Sequence, residues 1–256
     1  MGKQEWALVL GASSGFGAAV SSELARNGMS IFGVHWDRRE TMPQALNVQE
    51  QIRASGGEAV FFNRNAGDAD CRAEVVTAIR ERGARVRVLM HSLAFGSLKP
   101  LVGSGRLNQR QMEMTSDLMG HSLIYWVQDL VAADLLGSGG RIYAMTSEGG
   151  GKAVPEYGAV SAAKAALEAH IRQLALELAP LGVTANAILA GVTDTPALRK
   201  IPGSDVLMAH ALARNPHKRL TTPEDVARCV AVLCHESTYW MTGNTIRVDG
   251  GENSVA

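Results

Sequence analysis

The chain is short of cysteine, of net charge and of long apolar runs, and each shortage removes a class of protein. Three cysteines, Cys71, Cys229 and Cys234, occur in 256 residues. They form no disulfide framework, no metal-ligand spacing and no Cys-x-x-Cys redox pair. Their odd number fits reduced, structural thiols and a cytoplasmic location. Lys plus Arg and Asp plus Glu balance at 25 each, so no broad electrostatic grip on nucleic acid or an anionic membrane is expected. No apolar run approaches the ~18–20 residues of a membrane span. Met1 to Trp6 carry no basic segment leading into a long apolar stretch, so no secretory signal is expected. Gly2 invites myristoylation, but Trp6 stands where Ser or Thr is required. The seven histidines do not cluster, and no metal site is predicted.

What is present is a core-forming composition, 46% hydrophobic, enough for one domain. Seven short apolar runs predict strands at Trp6–Leu10, Ser30–His35, Ala59–Phe62, Val86–His91, Arg141–Thr146, Val183–Ile188 and Thr245–Val248. Helical patterns lie between them, near 15–28, 41–55, 68–82, 109–135, 156–179 and 222–235. Strands alternating with crossover helices mean βαβ units of right-handed connection. The prediction is an α/β fold: a single doubly wound Rossmann domain over 1–256 with a seven-stranded parallel sheet. Leu167, Ile171, Leu174 and Leu178 recur at spacings of four, three and four and mark the buried stripe of the clearest helix. The stretch 190–215 is irregular, with one short helical piece around Asp205–Arg214, and reads as a substrate lid.

Gly11-Ala12-Ser13-Ser14-Gly15-Phe16-Gly17 follows the first strand and opens the first helix. Glycines let the backbone approach a pyrophosphate, and the helix N-terminus offers free N–H groups. The same residues contain Gly11-x-Ser13-x-Gly15, a hydrolase nucleophile elbow, for which Asp225 and His235 can be nominated as partners, though nothing in their local sequence recommends them. That rival leaves Gly17 and a later Tyr–Lys pair without a role. A third reading is a non-catalytic dinucleotide sensor.

The glycine spacing resembles the short-chain dehydrogenase/reductase family. After the fourth strand that family usually carries Asn-Asn-Ala-Gly; here the slot is His91-Ser92-Leu93-Ala94, which resembles its enoyl-acyl carrier protein reductase branch. Val160 stands four residues before Lys164, where most of the family has tyrosine, and Tyr157 stands seven before it. Two helical turns, ~10.5 Å of rise, keep both on one side. Tyr-x6-Lys is again similar to the enoyl reductases, and the resemblance spans roughly 6–251.

The resemblance implies catalytic roles for Tyr157, Lys164 and Ser147. Ser147 stands where many members of the branch have a second tyrosine. A cofactor is implied at Gly11, Ser13, Ser14, Gly15, Phe16, Gly17, Trp36, Arg38, Asn65, Ala66, Ser92, Leu93, Ala94, Lys164, Gly191, Val192 and Thr195. Asp117 falls near the slot of a family asparagine. The second strand ends in Trp36-Asp37-Arg38-Arg39. A terminal acid there selects NADH and a nearby Arg selects NADPH; Arg38 and Arg39 favour NADPH, and Asp37 argues the other way. The implied activity is NADPH-dependent reduction of a 2-enoyl thioester, with 3-oxoacyl or other carbonyl reduction as the alternative. The implied partners are an acyl thioester on acyl carrier protein and further copies of the chain, as a homotetramer or homodimer.

Overall fold

The computed structural model describes residues 4–255, and Gly2 lies outside the described residues. Its strands are β1 (Trp6–Leu10), β2 (Ser30–His35), β3 (Ala59–Asn63), β4 (Val86–His91), β5 (Arg141–Thr146), β6 (Thr184–Ala190) and β7 (Thr245–Val248). They form one parallel sheet of order β3-β2-β1-β4-β5-β6-β7. Every residue of β1, β2 and β5 is buried, as expected of parallel strands covered on both faces. The winding direction reverses between β1 and β4, and a crevice opens there at the carboxyl ends of the strands.

On one face pack α1 (Gly15–Arg26), α2 (Met42–Ala54) and α8 (Pro223–Leu233), through residues such as Leu24, Ile52 and Val230. On the other lie α3 (Ala69–Glu81), α4 (Gln109–Ser116), α5 (Ser122–Ala132) and α6 (Gly158–Glu177), where Trp126, Leu167 and Ile171 fill the core. The remaining helix, α7 (Ser204–Arg214), belongs to the irregular segment after β6. Thr222 and Asp225 start α8 with a reciprocal capping box, with Pro223 in its first turn, a strong local start signal.

Several expected bounds shift: β3 runs one residue further, to Asn63, and the helix expected over 156–179 spans Gly158–Glu177. The single helix expected over 109–135 is α4 and α5 joined by a π-helical turn, Asp117–His121, and it ends at Ala132. Gly120 in that turn meets α6 so closely that a Cβ would stand 3.0 Å from the Ala163 carbonyl. The Thr115 and Ser122 hydroxyls flank the turn and donate to Gln111 O and Leu118 O, each at 2.7 Å. Strand β6 starts one residue later than expected and runs two further, because Leu189 and Ala190 still pair with Thr146 and Val248.

Candidate active site

The turn after β1 is packed backbone against backbone. Gly11 has φ +88°, and a Cβ on it would lie 2.4 Å from Ser92 O. A Cβ on Gly17 would lie 2.1 Å from Gly11 O. Ser14 flanks α1 in an extended conformation and makes no side-chain cap, so the first N–H groups of α1 are left uncapped by it for an anion. Phe16 packs against the α1–α8 core. The Thr195 methyl, 3.6 Å from the Cβ position of Gly15, covers the turn from the far side of the crevice. A cradle this free of side chains fits a dinucleotide pyrophosphate.

At the end of β2, Trp36 is 63% exposed, with its ring 5.7 Å from that of Phe95. Asp37 turns inward: its Oδ2 lies 2.8 Å from His35 Nδ1, and its side chain is only 12% exposed. Burial pushes this carboxyl up, but hydrogen bonds from Ser13, Thr41 and His35 outweigh it and hold the group below its ordinary value. Asn63 ties the same residue by its backbone, Nδ2 to Asp37 O at 3.0 Å and Oδ1 from Asp37 N–H at 2.9 Å. Arg38 and Arg39 are exposed and form no ion pair among the described residues. Along the same edge, Asn65 accepts the Gly67 N–H (3.0 Å) and donates to Asp68 (2.8 Å), while Ala66 O accepts from Trp126 Nε1 (2.8 Å).

At the end of β4, His91 is fully buried, with Nε2 2.9 Å from Ser122 Oγ. The Ser122 hydroxyl donates to Leu118 O, so it accepts from His91 Nε2–H and leaves Nδ1 as an acceptor. Burial, reinforced by the charge of Lys164, pushes this imidazole down to about 3; it is neutral. Ser92 N–H donates to Leu10 O at 2.9 Å. Leu93 and Ala94 continue into the exposed loop that carries Phe95.

Of the three residues expected to be catalytic, Ser147 follows β5, Tyr157 immediately precedes α6 and Lys164 lies within it. Tyr157 Oη lies 3.4 Å from Ser147 Oγ. Ser147 also accepts the Gly149 N–H at 3.2 Å. Gly149 leaves room for the phenol ring, since a Cβ there would stand 2.6 Å from Tyr157 Cε1. Burial pushes the Tyr157 hydroxyl up, opposed by Ser147; the phenol keeps its proton. Lys164 is 4% exposed, and its Nζ donates to Met145 O (2.8 Å) and Leu93 O (3.3 Å). Burial pulls its ammonium down to about 8, against the opposing charge of Glu168. Glu168 in turn accepts the Thr146 hydroxyl at 2.6 Å. Val160 joins Met119, Ala163 and the Tyr157 ring, with Leu98, Val154 and Ile201, in an apolar wall beside the phenol.

After β6, Gly191 and Val192 open the loop, and Val192 N–H donates to Glu252 Oε2 at 3.1 Å. Thr195 Oγ1 accepts from Leu198 N–H at 3.1 Å. Asp117 accepts from Tyr125 Oη at 3.0 Å and makes no hydrogen bond to Lys164. The hydrolase constellation is not assembled. Asp225 caps α8 and pairs with Arg219 and Arg228, while His235 caps the turn after α8; neither bonds Ser13. The cysteines are free thiols, and burial pushes Cys71 up to about 11 and Cys234 up to about 12. Sequence reasoning missed Glu168 and Glu252. The first carried a signal, lying one helical turn beyond Lys164; the second carried none.

A family model described as enoyl-(acyl carrier protein) reductase matches residues 11–253. An enoyl-[acyl-carrier-protein] reductase [NADH] of Aquifex aeolicus is 32% identical over 80% of this chain and 75% of its own length. A 3-oxoacyl-[acyl-carrier-protein] reductase of Synechocystis is 30% identical over 96% of this chain and 95% of its own. The crystal structure of the enoyl reductase (NADH) from Aquifex aeolicus shares the fold, with a TM-score of 0.85 and 24% identity over 97% of this chain and 96% of that one.

Proposed function

The chain belongs to the enoyl-(acyl carrier protein) reductase family of short-chain dehydrogenases/reductases, and from that membership we propose that it reduces the carbon–carbon double bond of a 2-enoyl thioester with NADPH. It is an oxidoreductase that uses a pyridine nucleotide. One observation carries the choice of substrate: the buried phenol of Tyr157 sits beside Ser147 (3.4 Å), while the ordinary tyrosine position, Val160, is part of an apolar wall.

The cofactor would be held by the Gly11–Gly17 turn with Ser13, Ser14 and Phe16, by Asn65 and Ala66, by Ser92, Leu93 and Ala94, and by Gly191, Val192 and Thr195. A bound reduced nicotinamide supplies the hydride for the β-carbon. Negative charge then develops on the thioester oxygen, where the Tyr157 phenol donates a hydrogen bond. Ser147 accepts from Gly149, which leaves its own proton to donate to the same carbonyl. Two of the three ammonium protons of Lys164 go to Met145 O and Leu93 O; the third would be free for the nicotinamide ribose, and the positive charge would favour the developing negative one. The apolar wall of Met119, Val160 and Ile201 takes the acyl chain, with 190–215 as its lid.

The inward turn of Asp37 supports NADPH over NADH. Its carboxylate is occupied by His35, so Arg38, beside Trp36, is the group offered to a 2′-phosphate. The free thiols fit a cytoplasmic setting. Helices α4–α5 and α6 supply the interface of a homodimer or homotetramer, and acyl carrier protein delivers the substrate. The second reading, 3-oxoacyl reduction, is favoured by the Synechocystis relative. Absorbance at the reduced-nicotinamide band separates the two. With NADPH or NADH, consumption by a 2-enoyl thioester and not by a 3-oxoacyl thioester is expected. Consumption by the oxo substrate alone overturns the enoyl reading.

A further inference from the structure

Four segments of the site meet around one buried carboxylate and the arginine beside it. After β7 the chain reads Val248-Asp249-Gly250-Gly251-Glu252. Gly250 and Gly251 take φ of +60° and +80°, a left-handed pair that glycine adopts at low cost. The Asp249 carboxylate receives the N–H groups of Gly251 (3.0 Å) and Asn253 (3.2 Å). These turns bring Glu252 back to the loop that follows β6. Glu252 is fully buried. Its Oε2 accepts from Val192 N–H, and its Oε1 lies 3.4 Å from Nη2 of Arg214, the last residue of α7. The same Nη2 lies 3.5 Å from Glu148 Oε2, in the turn that Ser147 starts, and 3.3 Å from Asn253 Oδ1. A Cβ on Gly191 would stand 2.8 Å from Glu252 Oε2, so the loop needs glycine there to admit the carboxylate.

A buried carboxylate persists only where it is paired and hydrogen-bonded. An apolar residue could fill the space of Glu252 but could not satisfy both Val192 N–H and Arg214. We propose that Glu252 and Arg214 are positioning residues, which set the Gly191–Val192 loop for the nicotinamide carboxamide and tie α7 to the turn bearing Ser147. This rests on the reading of that loop as the nicotinamide site. With its N–H taken by Glu252, Val192 is left with its carbonyl as the polar group for a ligand. Val192 is then an acceptor for the carboxamide –NH2, and it favours the carboxamide over a cofactor analogue bearing an acetyl group instead, which has no N–H to give.

The test measures binding of NADPH and of its reduced 3-acetylpyridine analogue by nucleotide fluorescence, without acyl substrate, in wild type, Glu252→Gln and Arg214→Met. Turnover of a 2-enoyl thioester is followed in parallel. Glu252→Gln is expected to weaken NADPH about tenfold, the loss of a charge-assisted interaction, and to narrow the preference for NADPH over the analogue several-fold. Arg214→Met, on a partly exposed side chain, is expected to raise the KM of the enoyl thioester about fivefold, with a smaller effect on NADPH. Unchanged affinity and analogue preference in a Glu252→Gln protein that melts like wild type overturns the proposal. If Glu252→Gln does not fold, an unchanged acyl KM in Arg214→Met overturns it instead. A wild-type protein that binds neither nucleotide overturns the functional reading and this proposal with it; wild-type binding with indifferent variants overturns the proposal alone.

Discussion

The turn after β1 and the segment after β6 lie across one crevice and are held in opposite ways. In the turn, Gly11, Gly17 and Ser92 approach so closely that no Cβ fits at either glycine. In the segment, α7 buries only Ala211, and Val206 and Leu212 are 60% and 44% exposed. It is held by Ile201 against the Tyr157 wall and by Arg214. Backbone packing leaves no slack, which suits a cofactor whose pyrophosphate never varies. A cap tethered by a few side chains can adjust, which suits an acyl chain of variable length.

The sharpest way to break this contrast is Gly17→Ala. Its Cβ would stand 2.1 Å from Gly11 O, so NADPH affinity, titrated by fluorescence, should fall about 100-fold or more, with a lower melting temperature. Tyr157→Phe leaves the cradle intact. Its kcat on an enoyl thioester should drop roughly 10²–10³-fold, with NADPH binding unchanged; full turnover would remove Tyr157 as the donor.

Lys164, which bridges Met145 O of β5 and Leu93 O after β4, gives a pH signature. Its ammonium is pulled down to about 8 by burial, so kcat/KM should fall as pH rises through about 8. Stability should move the other way. Between about 8 and the ordinary value of 10.5, the unfolded chain binds more protons than the folded one, so stability rises with pH across that window. Denaturant melts of wild type and Lys164→Met read this directly, since the variant should lack the rise. Arg38→Ala should cut the preference for NADPH over NADH about tenfold, measured as a ratio of kcat/KM values. The smallest effect belongs to the cap. Val206→Ser should leave NADPH binding within about twofold and change the KM of long-chain thioesters only a few-fold.

Much of the fold is local and therefore legible. Strand cores such as Ser30–His35 and Arg141–Thr146 are continuous apolar runs bounded by turn residues, and their limits coincide with β2 and β5. Lys164 lies within α6, whereas Tyr157 stands just before its first residue, Gly158, so helical rise alone does not fix the pair. The joint between α4 and α5 was not legible, because the π turn accommodates the contact of Gly120 with Ala163 on another helix. Asp37 could be placed next to Trp36 in the expected cofactor slot from its position, but not its direction. Its inward turn depends on His35 beneath it and on Asn63 of the neighbouring strand.

The sequence by itself determined the alternation of strands and helices and the glycine turn on the first of them, because each is written within one element or its boundary. The tertiary structure alone decided which charges are free. Arg38 stays open while Asp37 is occupied, and Glu252 reaches Val192 across 60 residues of chain. The reason is range: periodicity and turn chemistry act over a few residues, whereas the partner of a buried charge is whatever the folded sheet brings beside it.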